Sequence, residues 1–212
     1  MKKCIIFCAA ECRELLLPIG ADDFVIAADG GLTHLEKLGV KPHVIIGDFD
    51  SLGRVPSDAA VFPVDKDDTD SMLAIRRGLR EGYRRFVIYG GMDGPRLDHT
   101  IANLQALQFL AERKTQGFLV GANHIATVIC NGGISFGPNA QGIVSVFCMG
   151  RDAQGVTIRG LKYGLEDGTL SAGFPLGISN HFTGEISEIA VENGCLLVLF
   201  DKDKSMPEVK LC

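Results

Sequence analysis

Residues 24–39 read FVIAADGGLTHLEKLG and contain the unit on which the first half of the chain is built. The run from Phe24 to Ala28 is apolar, which predicts a buried strand. Asp29-Gly30-Gly31 follows as a tight turn, and Leu32 to Leu38 has the spacing of a short helix that ends at Gly39. A strand that turns into a helix is the unit of a parallel sheet covered by helices.

The same alternation of strands and helices continues to about residue 122. We therefore predict an N-terminal α/β domain with a mostly parallel sheet over residues 1–122. Its further strands are predicted from Lys3 to Ala10, from His43 to Ile46 and from Arg85 to Tyr89, and its further helices from about Asp70 to Arg80 and beyond Gly91, the last with Ile101, Leu104, Leu107 and Ala111 on one face.

The helical spacing stops near Asn123, where short apolar segments separated by Gly, Asn and Pro take over. This pattern predicts an all-β C-terminal domain over residues 123–212, built as an antiparallel sandwich or barrel. The predicted strands are Ala126 to Cys130, Gly142 to Cys148, Val156 to Ile158, Thr169 to Ser171, Ile186 to Val191 and Cys195 to Phe200.

Composition and charge narrow the class of protein. The chain has a net charge of −5 without clustered Lys and Arg, which argues against a nucleic-acid partner. No apolar stretch approaches the roughly 18 residues of a membrane span, and the apolar run that Glu11 ends predicts a core strand rather than a signal peptide. The 7 Cys, an odd and scattered set, indicate reduced thiols and a cytoplasmic protein.

Two carboxylates follow the strand that ends at Ile46, in Gly47-Asp48-Phe49-Asp50-Ser51. Residues two apart in an extended chain point to the same side, so we expect Asp48 and Asp50 to face one space. A hard cation such as Mg²⁺ would remove the repulsion between them. The sequence therefore predicts that both are metal ligands, and the alternative is a turn with solvated acids.

A second acidic segment, residues 65–70 (DKDDTD), precedes the helix that begins near Asp70. Asp and Thr are favoured helix caps, but four acids exceed what capping needs. The presence of Lys66 among them indicates a phosphate neighbour. We predict that Thr69 donates a hydrogen bond to a phosphate and that Asp70 binds the metal or a metal-bound water.

A third motif, Gly90-Gly91, follows the strand that ends at Tyr89 and leads into Arg96-Leu97-Asp98-His99. Glycines let the backbone approach a phosphate chain, and Arg96 can grip phosphate oxygens in two places. Asp98 is interpreted either as a catalytic residue or as a helix N-cap. His99 is interpreted as a helix-surface or packing residue and is left out of the catalytic set.

Asp29 and Gly30 form either a simple tight turn or a wall of the nucleotide pocket. Ligands of open parallel sheets bind beyond the carboxyl ends of the strands, where all of these motifs lie. The P-loop, serine-hydrolase and zincin motifs are absent from the sequence. The residues by themselves thus predict phosphate chemistry on a nucleotide with a divalent metal, and they do not name the acceptor.

In order along the chain, these motifs resemble the thiamine pyrophosphokinase family. The resemblance also includes a second-half pattern from Val156 to Tyr163. It rests on Ala28-Asp29-Gly30-Gly31, Gly47-Asp48-Phe49-Asp50-Ser51, Asp67-Asp68-Thr69-Asp70, Gly90-Gly91, Arg96-Leu97-Asp98-His99, Ala102-Asn103-Leu104, Val156-Thr157-Ile158-Arg159-Gly160-Leu161-Lys162-Tyr163 and Gly177-Ile178-Ser179-Asn180.

The resemblance implies a catalytic α/β domain, a C-terminal β-sandwich and a homodimer whose active site lies between subunits. ATP and thiamine would give AMP and thiamine diphosphate. By motif position, Asp48, Asp50 and Asp70 would hold Mg²⁺, Lys66 and Arg96 would address the ATP phosphates, and Ser179 and Asn180 would help to bind thiamine. One departure concerns the last strand, where some members have a Trp and this chain has Leu196-Leu197-Val198.

In the implied reaction, the acceptor hydroxyl attacks the β-phosphorus of ATP and AMP leaves, while Mg²⁺ and Arg96 neutralise charge. Either Asp98 or Asp70 would take the hydroxyl proton, and the sequence does not choose between them. Three alternatives are a pyrophosphokinase for another hydroxymethyl heterocycle such as a dihydropterin, an Asp-x-Asp glycosyltransferase and a non-catalytic nucleotide-binding sensor.

Overall fold

The computed structural model describes residues 2–12, 14–47, 59–61, 68–202 and 207–210. The chain divides into two compact units. Unit 1 comprises Met1–Ala106 and Gly117–Ala122, and unit 2 comprises Leu107–Gln116 and Asn123–Cys212. None of the helices in the described ranges combines the length and the apolar character that crossing a membrane requires.

Unit 1 contains a sheet with parallel strand pairs. Its central strands are buried on both faces, which explains their continuous apolar runs. β1 pairs in parallel with β2 and β5, and β3 pairs in parallel with β2 and β4. The strands lie in the order β4-β3-β2-β1-β5-β6, with bounds β1 (Cys4–Phe7), β2 (Phe24–Ala28), β3 (Val44–Gly47), β4 (Ala59–Val61), β5 (Arg85–Tyr89) and β6 (Gln116–Val120).

Helices α1 (Leu32–Leu38), α2 (Asp70–Arg80) and α3 (Leu97–Ala111) connect the strands. α1 ends at Gly39, whose φ of 65° is the left-handed value that glycine adopts without strain. α2 lies against β1, β2 and β3. Gly78 permits this close packing, because an added Cβ would lie 2.6 Å from the Phe86 ring and 2.7 Å from Cys4 Sγ.

The buried face of α3 differs in part from the predicted one. Leu107 is buried as predicted, but Ile101 is 51% exposed. The buried stripe begins at Asn103 and continues through Ala106 and Leu110, which is helical spacing from a polar residue. An apolar pattern could not reveal a face whose first member is an asparagine.

Unit 2 contains antiparallel strand pairs. β11 pairs with β7 and β8, β8 also pairs with β9 and β10, and β12 pairs with β7. With the parallel pairs of unit 1, the strand pairing of the chain is mixed. The bounds are β7 (His124–Phe136), β8 (Ile143–Arg159), β9 (Leu165–Leu170), β10 (Gly177–His181), β11 (Ser187–Asp201) and β12 (Glu208–Lys210).

Several short predicted strands are parts of longer ones. The predicted strands on either side of residues 192–194 both belong to β11, and those on either side of residues 149–155 both belong to β8. β11 continues because its register shifts between Val191 and Cys195, and Gly194 takes a φ of 119° there. A register shift within one strand therefore occupies the position where the sequence predicts a break between two strands.

The prediction of reduced thiols is wrong for two cysteines, because Cys130 and Cys195 form a disulfide. The two residues lie directly opposite each other in the register of β7 and β11. They are 65 positions apart in the sequence, so their spacing gave no sign of the pair. Cys4 and Cys8 are buried free thiols, as expected for small apolar residues.

Candidate active site

Three of the predicted motifs follow strands β2, β3 and β5 of unit 1. β2 and β3 are parallel neighbours, and β1 lies in parallel between β2 and β5. The carboxyl ends of parallel strands meet at one edge of a sheet, so the segments after Ala28, Gly47 and Tyr89 begin at the same edge. The predicted ligands that follow Gly47, Asp48 and Asp50, lie outside the described residues, as does Lys66.

The segment after β2 is a single 3-10 turn, Asp29–Gly31. Asp29 has a φ of 47°, a left-handed value that short polar side chains tolerate better than bulky ones. Gly31 is required by close approach, because an added Cβ would lie 1.9 Å from the carbonyl oxygen of Phe7. The turn is thereby packed against the end of β1, with Asp29 and Gly30 half-buried.

Asp29 and Asp70 lie near the same thiol at the end of β1. Burial raises the pKa of Cys8, and the negative charges of Asp70 and Asp29 raise it further, to about 12. Both carboxylates are half-buried. The structure therefore brings together two acids that belong to separate sequence motifs, and it concentrates negative charge at this edge of the sheet.

The start of α2 is fixed by Thr69, whose Oγ1 accepts a hydrogen bond of 3.2 Å from the backbone N–H of Met72. Asp70 occupies the first turn, where the backbone N–H groups favour an anion. Asp68 is bound by Arg76, with 2.8 Å between Oδ2 and Nε. Of the four acids in this segment, Asp68 pairs with Arg76 and Asp70 lies in the first helical turn, whereas Asp65 and Asp67 lie outside the described residues.

No cluster of three metal-ligating His, Cys, Asp or Glu side chains occurs within the ranges that the structure describes. Two of the three predicted ligands, Asp48 and Asp50, are not in those ranges. The predicted metal set of Asp48, Asp50 and Asp70 therefore stays a prediction.

The turn after β5 is tightly packed. Gly90 has a φ of 64°, and an added Cβ would lie 2.5 Å from the carbonyl oxygens of both Cys8 and Ala10. The carbonyl of Gly91 accepts a 2.7 Å hydrogen bond from the Asn103 amide. Asn103 belongs to a motif of the family resemblance, but the sequence assigned it no role. Its signal is a polar side chain on the buried face of α3.

The remainder of this loop is held by Asp93, to which the sequence assigned no role. Its Oδ2 accepts a 2.7 Å hydrogen bond from the backbone N–H of Ala122, just beyond β6. Gly121 makes room for this contact, because an added Cβ there would lie 2.3 Å from the same oxygen. The loop after β5 is thus tied to the segment after β6.

Arg96 and Asp98 bind each other. Arg96 donates from Nη2 to Oδ2 over 2.5 Å and from Nε to Oδ1 over 3.2 Å, and both side chains are exposed. The hydrogen bond from Arg96 holds the pKa of Asp98 below its usual range. α3 begins at Leu97, so Asp98 lies inside the first helical turn rather than at the N-cap.

Ser179 and Asn180 lie on β10 in unit 2. Ser179 is exposed with a φ of 57°, and its backbone N–H donates to Ser145 Oγ over 3.0 Å. Asn180 is buried, and its amide exchanges hydrogen bonds of 3.0 and 2.7 Å with the backbone of Tyr163. The Asn180 amide therefore shapes the neighbouring loop, which leaves Ser179 as the exposed member of the pair.

Two sequence profiles of thiamin pyrophosphokinase match the chain, that of the catalytic domain at residues 18–119 and that of the vitamin B1 binding domain at residues 134–196. The chain belongs to the thiamin pyrophosphokinase family. The two matches occur in order and between them include the strand-end motifs of unit 1 and β10 of unit 2.

Individual relatives are distant in sequence and similar in fold. The chain is 26% identical over 176 residues to thiamin pyrophosphokinase 1 of Caenorhabditis elegans, covering 74% of this chain and 71% of that protein. It is 27% identical over 195 residues to thiamine pyrophosphokinase of Bacillus subtilis, covering 84% and 87%. The crystal structure of a Bacillus subtilis thiamine pyrophosphokinase matches with a TM-score of 0.81 at 22% identity, covering 96% of this chain and all of that one, 100%. The fold of the chain is therefore that of the thiamin pyrophosphokinases, with a mixed sheet and few helices.

Strand β11 carries Leu196-Leu197-Val198, the segment in which some family members have a Trp. Leu196, Leu197 and Val198 of β11 are core residues, each no more than 9% exposed. Because they are buried, these three side chains do not present an aliphatic surface that could contact a ligand where other members have an aromatic ring. Tyr163, in the loop that Asn180 holds, is by contrast 58% exposed.

Proposed function

We propose that this chain transfers the pyrophosphoryl group of ATP to the hydroxyl of thiamine, giving thiamine diphosphate and AMP. The observation that carries the proposal is the match of both thiamin pyrophosphokinase domains, catalytic and vitamin B1 binding, in order within one chain. The acidic and glycine-rich segments at one edge of the unit 1 sheet support it. Nothing in the comparisons favours a dihydropterin pyrophosphokinase, a glycosyltransferase or a sensor.

Asp48, Asp50 and Asp70 hold Mg²⁺ in this proposal. Their carboxylate oxygens are the donors that this cation prefers. Support comes from the negative charges of Asp70 and Asp29, which both raise the pKa of the Cys8 thiol because they disfavour its thiolate form. The bound cation would neutralise charge on the transferring phosphates.

The ATP phosphates lie against Asp29-Gly30 and Gly90-Gly91 in this proposal, with Lys66 and Thr69 as further contacts. Only glycine fits at Gly90, because an added Cβ would meet two backbone oxygens, and a backbone without side chains lets a phosphate approach closely. Arg96 is exposed and addresses the phosphates, while Asp98 orients it. Either Asp98 or Asp70 takes the thiamine proton in this proposal.

Unit 2 supplies the thiamine site in this proposal. Ser179 contacts the substrate, and Asn180 positions the loop that carries Tyr163. The exposed Tyr163 ring takes the place of the aromatic residue that the last strand lacks, since aromatic faces attract cationic ligands such as the thiazolium ring.

We further propose a mostly parallel α/β catalytic domain over residues 1–122, a β-sandwich over residues 123–212, and a homodimer with shared active sites in the cytoplasm. For the sandwich, support comes from β8, which pairs with β10 near Val144 and with β9 near Val156, with register shifts in both pairings. The cytoplasmic assignment follows from ATP as the donor.

The reaction is tested by incubating purified protein with ATP and MgCl₂, with and without thiamine, and by following AMP. AMP should form only when thiamine and the cation are both present, and EDTA should stop its formation. ADP as the main product would contradict pyrophosphoryl transfer.

The metal site is tested with Asp48→Asn and Asp50→Asn, with Asp167→Asn as the control on an exposed residue of unit 2. Either site variant should lose most of its turnover, while its melting temperature stays the same or rises because carboxylate repulsion is relieved. Near-normal turnover in both variants would remove the proposed metal role.

The acceptor site is tested with Ser179→Ala and Tyr163→Ala. Each should raise the thiamine KM by roughly ten- to a hundredfold, in keeping with the loss of one or two polar or cation–π contacts, and should leave the ATP KM unchanged. An equal rise of both KM values would place the acceptor site elsewhere in the chain.

A further inference from the structure

One buried side chain joins two of the segments proposed to bind ATP. Asn103 on α3 is 6% exposed, and its Nδ2 donates a 2.7 Å hydrogen bond to the carbonyl of Gly91. Its Oδ1 accepts a 2.7 Å hydrogen bond from Ser71 Oγ, which lies 3.0 Å from Thr69 Oγ1. A single line of hydrogen bonds therefore runs from the start of α2 through α3 to the turn after β5.

The amide is costly to bury unless both of its ends are bonded, and here each end has a partner in a different segment. The contact with the turn is also sterically tight. An added Cβ at Gly91 would lie 3.1 Å from Asn103 Nδ2 and 2.6 Å from the Leu119 side chain. A side chain at Gly91 would therefore displace the Asn103 amide or Leu119, and the hydrogen bond opposes movement of Gly91 away from α3.

We propose that Asn103 is a positioning residue that sets the distance between the Thr69–Asp70 segment and the Gly90–Gly91 turn around the ATP phosphates. This inference rests on the proposed function, because it takes both segments as parts of the nucleotide site. Asn103 itself acts through Gly91 and Ser71. Thiamine lies against unit 2 in the proposed function, so its binding does not depend on this line of hydrogen bonds.

Asn103→Ala removes both hydrogen bonds of the amide. Ser71→Ala removes the one to Oδ1 together with the contact to Thr69 Oγ1. Asn103→Asp keeps the acceptor for Ser71 while removing the donor to Gly91. Gln105→Ala is the matched control, since Gln105 is an exposed residue of the same helix. Each protein is measured for melting temperature, for ATP binding by calorimetry in MgCl₂, and for the KM values of both substrates at a temperature at which it is folded.

Asn103→Ala and Asn103→Asp should weaken ATP binding by roughly tenfold relative to Gln105→Ala, with a matching rise in the ATP KM and a thiamine KM within about twofold of the wild type. Ser71→Ala should give a smaller change in the same direction. The double variant Ser71→Ala/Asn103→Ala should lose less ATP affinity than the two single losses add up to, because both changes break the bond between Ser71 and Asn103.

The proposal is overturned if folded Asn103→Ala binds ATP within about threefold of Gln105→Ala, whatever its melting temperature, since a purely structural asparagine would lower stability alone. It is also overturned if both KM values rise equally. If Asn103→Ala does not fold, Ser71→Ala decides by the ATP binding measurement alone. Wild-type protein that binds ATP but forms no AMP would refute the proposed reaction and leave the binding test of Asn103 intact.

Discussion

Asp23 is a carboxylate kept charged inside unit 1. It is 5% exposed, and its Oδ2 lies 2.5 Å from Lys3 Nζ. Burial alone would raise its pKa, but the hydrogen bonds from Lys3 and Gly20 and the charge of Lys3 outweigh burial and hold the pKa below its usual value. The contact ties the residue before β1 to the residue before β2.

Asp23→Asn should therefore destabilise the protein by about 1–3 kcal/mol near neutral pH, because the Lys3 ammonium loses its partner. A depressed folded-state pKa contributes stability above the unfolded value of about 3.9, and this contribution is lost as the pH falls through the folded-state pKa. The difference between variant and wild type should shrink below about pH 4. Urea unfolding as a function of pH measures it.

Asp22→Asn is the control for this experiment, since Asp22 is the exposed neighbour. It should unfold like the wild type across the range. A pH dependence of unfolding that is the same in Asp23→Asn and in the wild type would contradict the assignment.

At the scale of the elements, the turn after β2 depends on one missing side chain. Gly31→Ala would place a Cβ 1.9 Å from a backbone oxygen, which no side-chain rotation can relieve. We expect a loss of about 3 kcal/mol or more in the free energy of unfolding, and a loss of activity because Asp29 moves with the turn.

Gly173→Ala is the matched substitution for Gly31→Ala. An added Cβ at Gly173 meets nothing within 4 Å, so its effect should stay within about 0.5 kcal/mol of zero. Guanidinium unfolding of both variants makes the comparison. Similar stabilities would show that the Phe7 carbonyl can move aside.

The elements that were predictable from the sequence carry their own start and stop signals. α1 ends at Gly39 and α2 begins after the Thr69 cap, and both were predicted with their actual bounds. β10 was missed because its sequence, GISNH, has the composition of a turn and pairs with β8 through an irregular register. Tertiary pairing overrides local preference in such a segment.

The motifs of the candidate site can be found in the sequence, but the contacts between those motifs cannot. The sequence assigned Asp70 to a metal-binding segment and left Asp29 either in a simple tight turn or in a wall of the nucleotide pocket. Only the fold shows that both approach Cys8. In the same way, the hydrogen bond from Asn103 to Gly91 joins a helix face to a turn. Long-range contacts of this kind depend on packing, which a single sequence does not encode in any local pattern.

At the scale of the whole molecule, the disulfide between Cys130 and Cys195 closes a loop within unit 2. Reduction, or the paired change Cys130→Ser/Cys195→Ser, should lower stability by at most about 4 kcal/mol, the chain-entropy value for a loop of this length. Thermal melting with and without dithiothreitol tests this in the wild type. The serine variant is the control and should not respond to the reductant.

The proposed homodimer predicts a mass of about twice the 22.8 kDa of one chain. Light scattering across a dilution series should show it, and turnover per chain should fall where the dimer dissociates. A monomer that keeps full activity at high dilution would contradict a site shared between subunits.

The long pairing distances in unit 2 have a consequence for synthesis on the ribosome. Within the described residues, both strands that pair with β7 in this unit, β11 and β12, come later in the chain. Cys195 leaves the ribosome 65 residues after Cys130, which at about 5–20 residues per second is roughly 3–13 s. For that time the nascent chain carries the apolar residues of β7 without these partners. Codon choice in the segment between the two strands affects the rate of translation, and it therefore affects how long the chain is open to aggregation.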